Sequence, residues 1–100
     1  MKKLTEKEEQ IMNIIWKYGC ISVSEILTFI PGSKPHYNTI STTARILVQK
    51  TFLSYKISGR LHIYFALIPK IEYREFLMSN LINKYFNNNP SDMMEYLLKK

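Results

Sequence analysis

Ile11, Ile14, Ile15 and Tyr18 fall at i, i+3, i+4 and i+7, which places them on one side of an α-helix. Just upstream, Thr5-Glu6-Lys7-Glu8 has the S/T-x-x-E order of a capping box, in which each side chain satisfies an open backbone N–H at the helix start. Gly19 ends the run, because glycine accepts the left-handed conformation that stops a helix. Met12 and Trp16 widen the apolar side, so this first helix is expected to pack on two neighbours. Ser22-Val23-Ser24-Glu25 repeats the capping pattern ahead of Ile26, Leu27, Phe29 and Ile30, and Pro31-Gly32 closes a short second helix. After a turn over Gly32-Ser33-Lys34-Pro35, a third helix is expected from about Tyr37 to about Thr51, with Ile40, Ala44, Leu47 and Val48 facing the core.

The period then changes to two. Leu53, Tyr55 and Ile57 alternate with Ser54 and Lys56, while Leu61, Ile63, Phe65 and Leu67 alternate with His62, Tyr64 and Ala66. These runs flank Ser58-Gly59-Arg60 and predict a β-hairpin whose apolar side closes the core. Three helices followed by a hairpin give a winged helix-turn-helix. Beyond Pro69 the helical period returns, with Tyr73, Phe76, Leu77, Leu81 and Tyr85 on one stripe and Ile82 and Phe86 beside it. Asn87-Asn88-Asn89-Pro90 interrupts that helix, and Ser91 is expected to cap a last one carrying Met93, Met94, Leu97 and Leu98. The predicted class is mainly α with a small β-hairpin.

A compact winged helix is complete by about Leu67, so the apolar side chains of the tail must cover another surface. A second copy of the chain is the economical partner, with Tyr73, Phe76, Leu77, Leu81, Tyr85, Met94 and Leu97 as the dimerisation set. The alternative is that the tail packs back on its own domain. The chain thus divides into a winged-helix domain over residues 1–70 and a helical dimerisation region over 71–100.

Composition narrows the function. A chain of 100 residues that is 46% hydrophobic can bury one core, and no apolar run approaches the roughly 20 residues needed to span a bilayer. The start MKKLTEKEEQ lacks the apolar stretch of a signal peptide, so a cytoplasmic protein with no membrane partner is expected. Cys20, alone, excludes an internal disulfide, and with His36 and His62 it makes no zinc-binding spacing, so neither metal nor cofactor is expected. No Gly-rich phosphate loop, paired carboxylates in apolar surroundings or His-x-x-x-His spacing occurs, so the reading is not an enzyme and no catalytic residue is assigned.

The net charge of +6 is unevenly spread: between Glu25 and Glu72 there is no acid, while Lys34, Arg45, Lys50, Lys56, Arg60 and Lys70 lie in that interval. Such a block suits a polyanion such as DNA. Within it, Asn38, Ser41, Thr42, Arg45 and Gln49 recur at helical spacing opposite the apolar face of the third helix. Short donors and acceptors with one cation and no anion can approach base edges and phosphates, whereas carboxylates would be repelled. Serine and threonine are mediocre helix formers, so their clustering favours a use other than helix stability. In a helix-helix-helix-hairpin order the third helix is the one expected to read DNA. Lys56 and Arg60, on or beside the hairpin turn, are expected to meet phosphates or a neighbouring minor groove, and His62 is read as ordinary surface.

The segments LTEKEEQIMNIIWKYG, SVSEIL, KPHYNTISTTARIL and SGRLHIYFALI, in this order, resemble the penicillinase repressor family (BlaI/MecI/CopY type) of bacterial transcriptional regulators. Shared features are the acidic pair before the apolar helix, the Ile-Trp near its end, the K-P-x-Y-x-T lead-in to the third helix and the Gly-Arg of the wing. The resemblance implies a dimeric winged-helix repressor that binds a double-stranded, inverted-repeat operator and blocks transcription. By position it assigns Asn38, Thr39, Ser41, Thr42 and Arg45 to the recognition helix and Arg60 to the wing. It also implies dimerisation through the residues after the wing. Upstream sensor-protease signalling, by cleavage at a C-terminal Asn-Phe bond, belongs to the penicillinase branch; the corresponding position here reads Glu95-Tyr96. The cysteine cluster of the copper-responsive branch has no counterpart. Relatives usually continue through a further helix past Lys100, which motivates the rival reading: an interaction module or antirepressor that heterodimerises with a full-length relative without binding DNA itself.

Overall fold

The structure is a computed structural model that describes residues 1–99. Along them run α1 (Glu6–Tyr18), α2 (Val23–Phe29), α3 (Tyr37–Gln49), β1 (Leu53–Ser58), β2 (Leu61–Ala66), α4 (Lys70–Tyr85) and α5 (Pro90–Leu98). This is the winged helix-turn-helix order followed by two helices, mainly α with one hairpin. The residues group into two compact units, 2–70 and Ile71 onward together with Met1.

Both capping boxes form. The Thr5 hydroxyl accepts from the Glu8 backbone N–H at 3.2 Å and the Thr5 N–H donates to Glu8 Oε1 at 2.9 Å. Ser22 and Glu25 repeat the exchange at 3.3 and 3.1 Å. Gly19 ends α1 at φ 87°, ψ −121°, a positive-φ conformation that suits glycine but lies outside the left-handed helical well. Ile11, Met12, Ile14 and Ile15 are buried as the spacing requires, but Tyr18 is exposed and stacks face to face on the exposed Phe29, ring centroids 3.8 Å apart.

Helix α3 stops two residues short of the expected Thr51, and the stop has a clear cause. The Thr51 N–H bonds to the Val48 carbonyl and the Phe52 N–H to the Leu47 carbonyl, both at 3.0 Å, the paired bonds of a Schellman motif. Thr51 sits at φ 64°, a position that favours glycine and strains a β-branched residue. The motif drops Phe52 and Leu47, both fully buried, into the core and starts β1 at once. Beside it, the Lys50 ammonium holds both oxygens of the buried Glu8 carboxylate, at 2.9 and 2.8 Å, tying the end of α3 to the start of α1.

The hairpin corrects the expected facing. Its turn contains two residues, Gly59 and Arg60, because Ser58 already pairs with Leu61. Gly59 takes φ 61°, as the first central residue of a type II′ turn does. Tyr55 therefore pairs with Tyr64 and Ile57 with His62, while Lys56 pairs with Ile63 and Ser54 with Phe65. Cross-strand partners share a face. Leu53, Tyr55 and Ile57 thus lie with His62, Tyr64 and Ala66, not with Leu61, Ile63 and Phe65. Tyr64 is buried, and its backbone pairs with Ile21 in a two-way bridge at 2.8 and 3.0 Å, which moors the hairpin to the chain between α1 and α2.

In the second unit, Asn87 and Asn88 at φ 53° and 56° end α4, a conformation that asparagine tolerates better than most residues. The cap of α5 is Asn89, whose side-chain oxygen accepts from the Ser91 N–H at 2.9 Å, rather than Ser91 itself. Pro90 then occupies the first helical position, where its missing N–H costs nothing. Tyr73 is the buried residue of α4, and no described residue of α5 is buried.

Candidate nucleic-acid interface

Helix α3 keeps Ile40, Thr43, Ala44 and Leu47 inside, with Val48 half-buried at the edge. On the other side Asn38, Thr42, Arg45 and Gln49 are exposed, flanked by half-buried Thr39 and Ser41. The five third-helix residues assigned from the sequence therefore share one accessible surface. Two neighbours extend it: Tyr37 at 47% exposure and Ile46 at 38% add an aromatic ring and an apolar edge that the polar pattern had not suggested. His36 caps the helix, its Nδ1 accepting the Asn38 N–H at 3.1 Å.

The positive block is thinner than its sequence. Lys50 is neutralised by Glu8, and Lys34 folds back to donate to the Thr28 carbonyl at 3.2 Å and to the Ile30 carbonyl. Arg45, Lys56 and Arg60 stay exposed and enter no ion pair among the described residues. Burial of Glu8 works to raise its pKa, but hydrogen bonds from Lys50 and Thr5, with the Lys50 charge, outweigh it and hold the carboxyl below its ordinary value.

On the hairpin, Arg60 stands in the turn and Lys56 projects from the face shared with Ile63. The opposite face carries an aromatic group: the Tyr55 ring meets His62 edge-on at 4.7 Å and Tyr64 at 5.7 Å. Burial pushes the Tyr64 phenol up from its ordinary value, the Arg45 guanidinium pulls it partway back, and the Tyr55 and Tyr37 phenols push it further up.

Of the side chains assigned to dimerisation, Leu81, Tyr85, Met94 and Leu97 are exposed, at 40% to 72%. Phe76 and Leu77 are half-buried. Tyr73 is a correction: it is buried within the chain, its ring 6.0 Å from that of Phe76, and offers no open surface. Tyr96 and Leu98, outside the assigned set, are exposed at 50% and 80%. Among the described residues, no helix is long and apolar enough to cross a membrane.

Known proteins bear on this arrangement. The family model described as penicillinase repressor matches residues 4–100. A penicillinase repressor of Bacillus licheniformis is 26% identical over 98 residues, covering 94% of this chain and 77% of that protein. Among solved structures, the DNA binding domain of the repressor BlaI superposes with a TM-score of 0.62 at 28% identity, covering 73% of this chain and 94% of that one. The Bacillus licheniformis BlaI monomeric form, in complex with the blaP half-operator, gives 0.59 at 26% identity, over 72% of this chain and 89% of that one. With the family model matched from the fourth residue onward and the winged-helix frame shared with both BlaI structures, the chain belongs to the penicillinase repressor family, a family of transcriptional repressors and not of enzymes.

Proposed function

We propose that this protein is a homodimeric transcriptional repressor that binds a double-stranded, inverted-repeat operator through α3 and the hairpin. The observation that carries the reading is the accessible face of α3, with short hydrogen-bonding side chains around one unpaired guanidinium and no carboxylate. In the major groove Arg45 would donate to a guanine edge or a phosphate. Asn38 and Thr42 would meet base edges, with Thr39 and Ser41 at the margins and Gln49 one turn further on. Arg60 at the wing tip and Lys56 behind it would neutralise phosphates, so affinity would fall steeply with salt. The relative solved as a monomer on a half-operator supports a division of labour in which one such unit engages half of a site.

Dimerisation through residues 71–100 is the companion reading. A helix of nine residues with nothing buried is marginal by itself in water, and ordering it exposes Met94, Leu97 and Leu98. A second copy would cover these side chains with Leu81 and Tyr85 of α4. Two copies would then set two α3 helices about one turn of duplex apart. An upstream sensor-protease signal has no support in Glu95-Tyr96 and is not part of the proposal.

Selection of bound sites from a random duplex pool tests the reading. A palindromic consensus with half-sites about 10 base pairs apart, centre to centre, is expected. Enrichment of no duplex would overturn it and favour the heterodimerising, DNA-free alternative.

A further inference from the structure

The accessible side of α3 is not uniform. Asn38, Thr42, Arg45 and Gln49 recur at i, i+4, i+7 and i+11, all exposed, and make its hydrogen-bonding centre line. Thr39, Thr42 and Ile46 recur at i, i+3 and i+7 and make an edge alongside, with Thr42 belonging to both rows. Each of these three carries a methyl group on a branched Cβ. Thr39 is half-buried, Thr42 is exposed and Ile46 is 38% exposed, although the same helix turns Ile40 and Leu47 into the core. Branched side chains lose rotamer freedom in a helix, so helix stability does not account for three of them along one edge. An exposed isoleucine standing alone needs no explanation. Ile46 instead continues the threonine row and follows directly on Arg45, which is exposed and enters no ion pair among the described residues. No acid occurs from Ile26 to Ile71, so a polyanion can approach this edge without repulsion.

We propose that the edge formed by Thr39, Thr42 and Ile46 reads thymine, its methyl groups packing on the 5-methyl that thymine alone presents in the major groove. The inference rests on the DNA-binding reading of α3 and adds to it a base preference carried by shape rather than by hydrogen bonds. Cytosine has no methyl at the same place and offers an amino donor that an apolar edge cannot satisfy. The edge thus separates thymine from cytosine, and a T·A pair from an A·T pair, which the centre line need not do alone. A helix seated by its centre line turns this edge toward one wall of the groove, where the pyrimidine C5 substituents project.

The test is a fluorescence-anisotropy titration of the full chain on a duplex selected by the wild type, and on copies in which one thymine at a time is replaced by deoxyuridine. That exchange removes the 5-methyl and leaves every hydrogen-bonding group in place. At one or two positions in each half-site the wild type should lose about 4-fold, the factor for uncovering one buried carbon. Ile46→Ala and Thr42→Ser, with melting curves alongside, should each bind the thymine and deoxyuridine forms equally at one of those positions. Should Ile46→Ala melt early, Thr42→Ser, which keeps the hydroxyl, decides alone. A wild type that binds every deoxyuridine copy as tightly as the parent duplex would overturn the thymine edge and leave the DNA-binding reading standing. A deoxyuridine loss that persists undiminished in the folded variants would overturn it too, since the methyl would then be read elsewhere. Failure of the wild type to hold any duplex would overturn both this and the function on which it rests.

Discussion

Residues 2–70 and the residues from Ile71 onward carry similar helical periodicity, yet they use their apolar side chains differently. In the first unit Ile11, Met12, Ile26, Leu47, Phe52 and Leu53 are fully enclosed, and each helix end of α1 and α2 is closed by its own capping groups. In the second, α5 has sound caps, Asn89 and Pro90, but Met94, Leu97 and Leu98 remain in water. Local rules can form a helix in either unit. Only the first surrounds its helices with partners from its own sequence, whereas α5 leaves its apolar side chains open, the surface that the proposed second copy would cover.

This contrast can be broken most forcefully at the tail. Replacing both Leu81 and Leu97 with Glu leaves helix propensity almost untouched but places charges on the surface proposed to pair. Sedimentation should show a monomer, and affinity for a two-half-site duplex should fall by about 100- to 10,000-fold through lost linkage between half-sites. The winged-helix unit should still melt cooperatively. A dimer that survives both charges would remove the second copy from the account.

A cavity in the first unit gives the next largest effect. Leu47→Ala, at a site with 0% exposure, should destabilise that unit by about 2–5 kcal/mol in a denaturant titration. If the two units differ as argued, Leu97→Ala should cost no monomer stability by the same measurement.

The smallest effect is electrostatic and confined to the Glu8–Lys50 tie. The folded-state pKa of Glu8 lies below its ordinary value of 4.5, so the pair contributes stability above that pH. The contribution falls away as pH drops through the lowered value, where the folded carboxylate takes up its proton. Glu8→Gln should therefore flatten the acid limb of the melting-temperature profile. An acid limb identical to that of the wild type would show that Glu8 does not carry it.

Much of this fold is legible in the sequence, and the exceptions are instructive. Both capping boxes, the core face of α3 and the asparagine break follow from local chemistry at known offsets. The hairpin was legible in existence but not in facing. Taking Ser58-Gly59-Arg60 as a three-residue turn slips the register by one, and a slip of one exchanges the two faces of a strand. The available signal was Gly59-Arg60 as a two-residue turn with glycine first, which puts Tyr64 rather than Ile63 beside Tyr55. Charge was similarly overread, because Lys50 looks like part of a basic surface until the distant Glu8 is brought to 2.8 Å from it. Tyr73 shows the same limit: it lies on the apolar stripe of α4 yet is buried, and period alone does not say whether a position is already covered.

The central claim is that the acid-free face of α3 reads duplex DNA, and Arg45→Ala addresses it most directly. A gel-shift titration on the selected duplex should show affinity lowered by about 10- to 100-fold, while melting of the variant matches the wild type. Undiminished binding by the folded variant would contradict the claim.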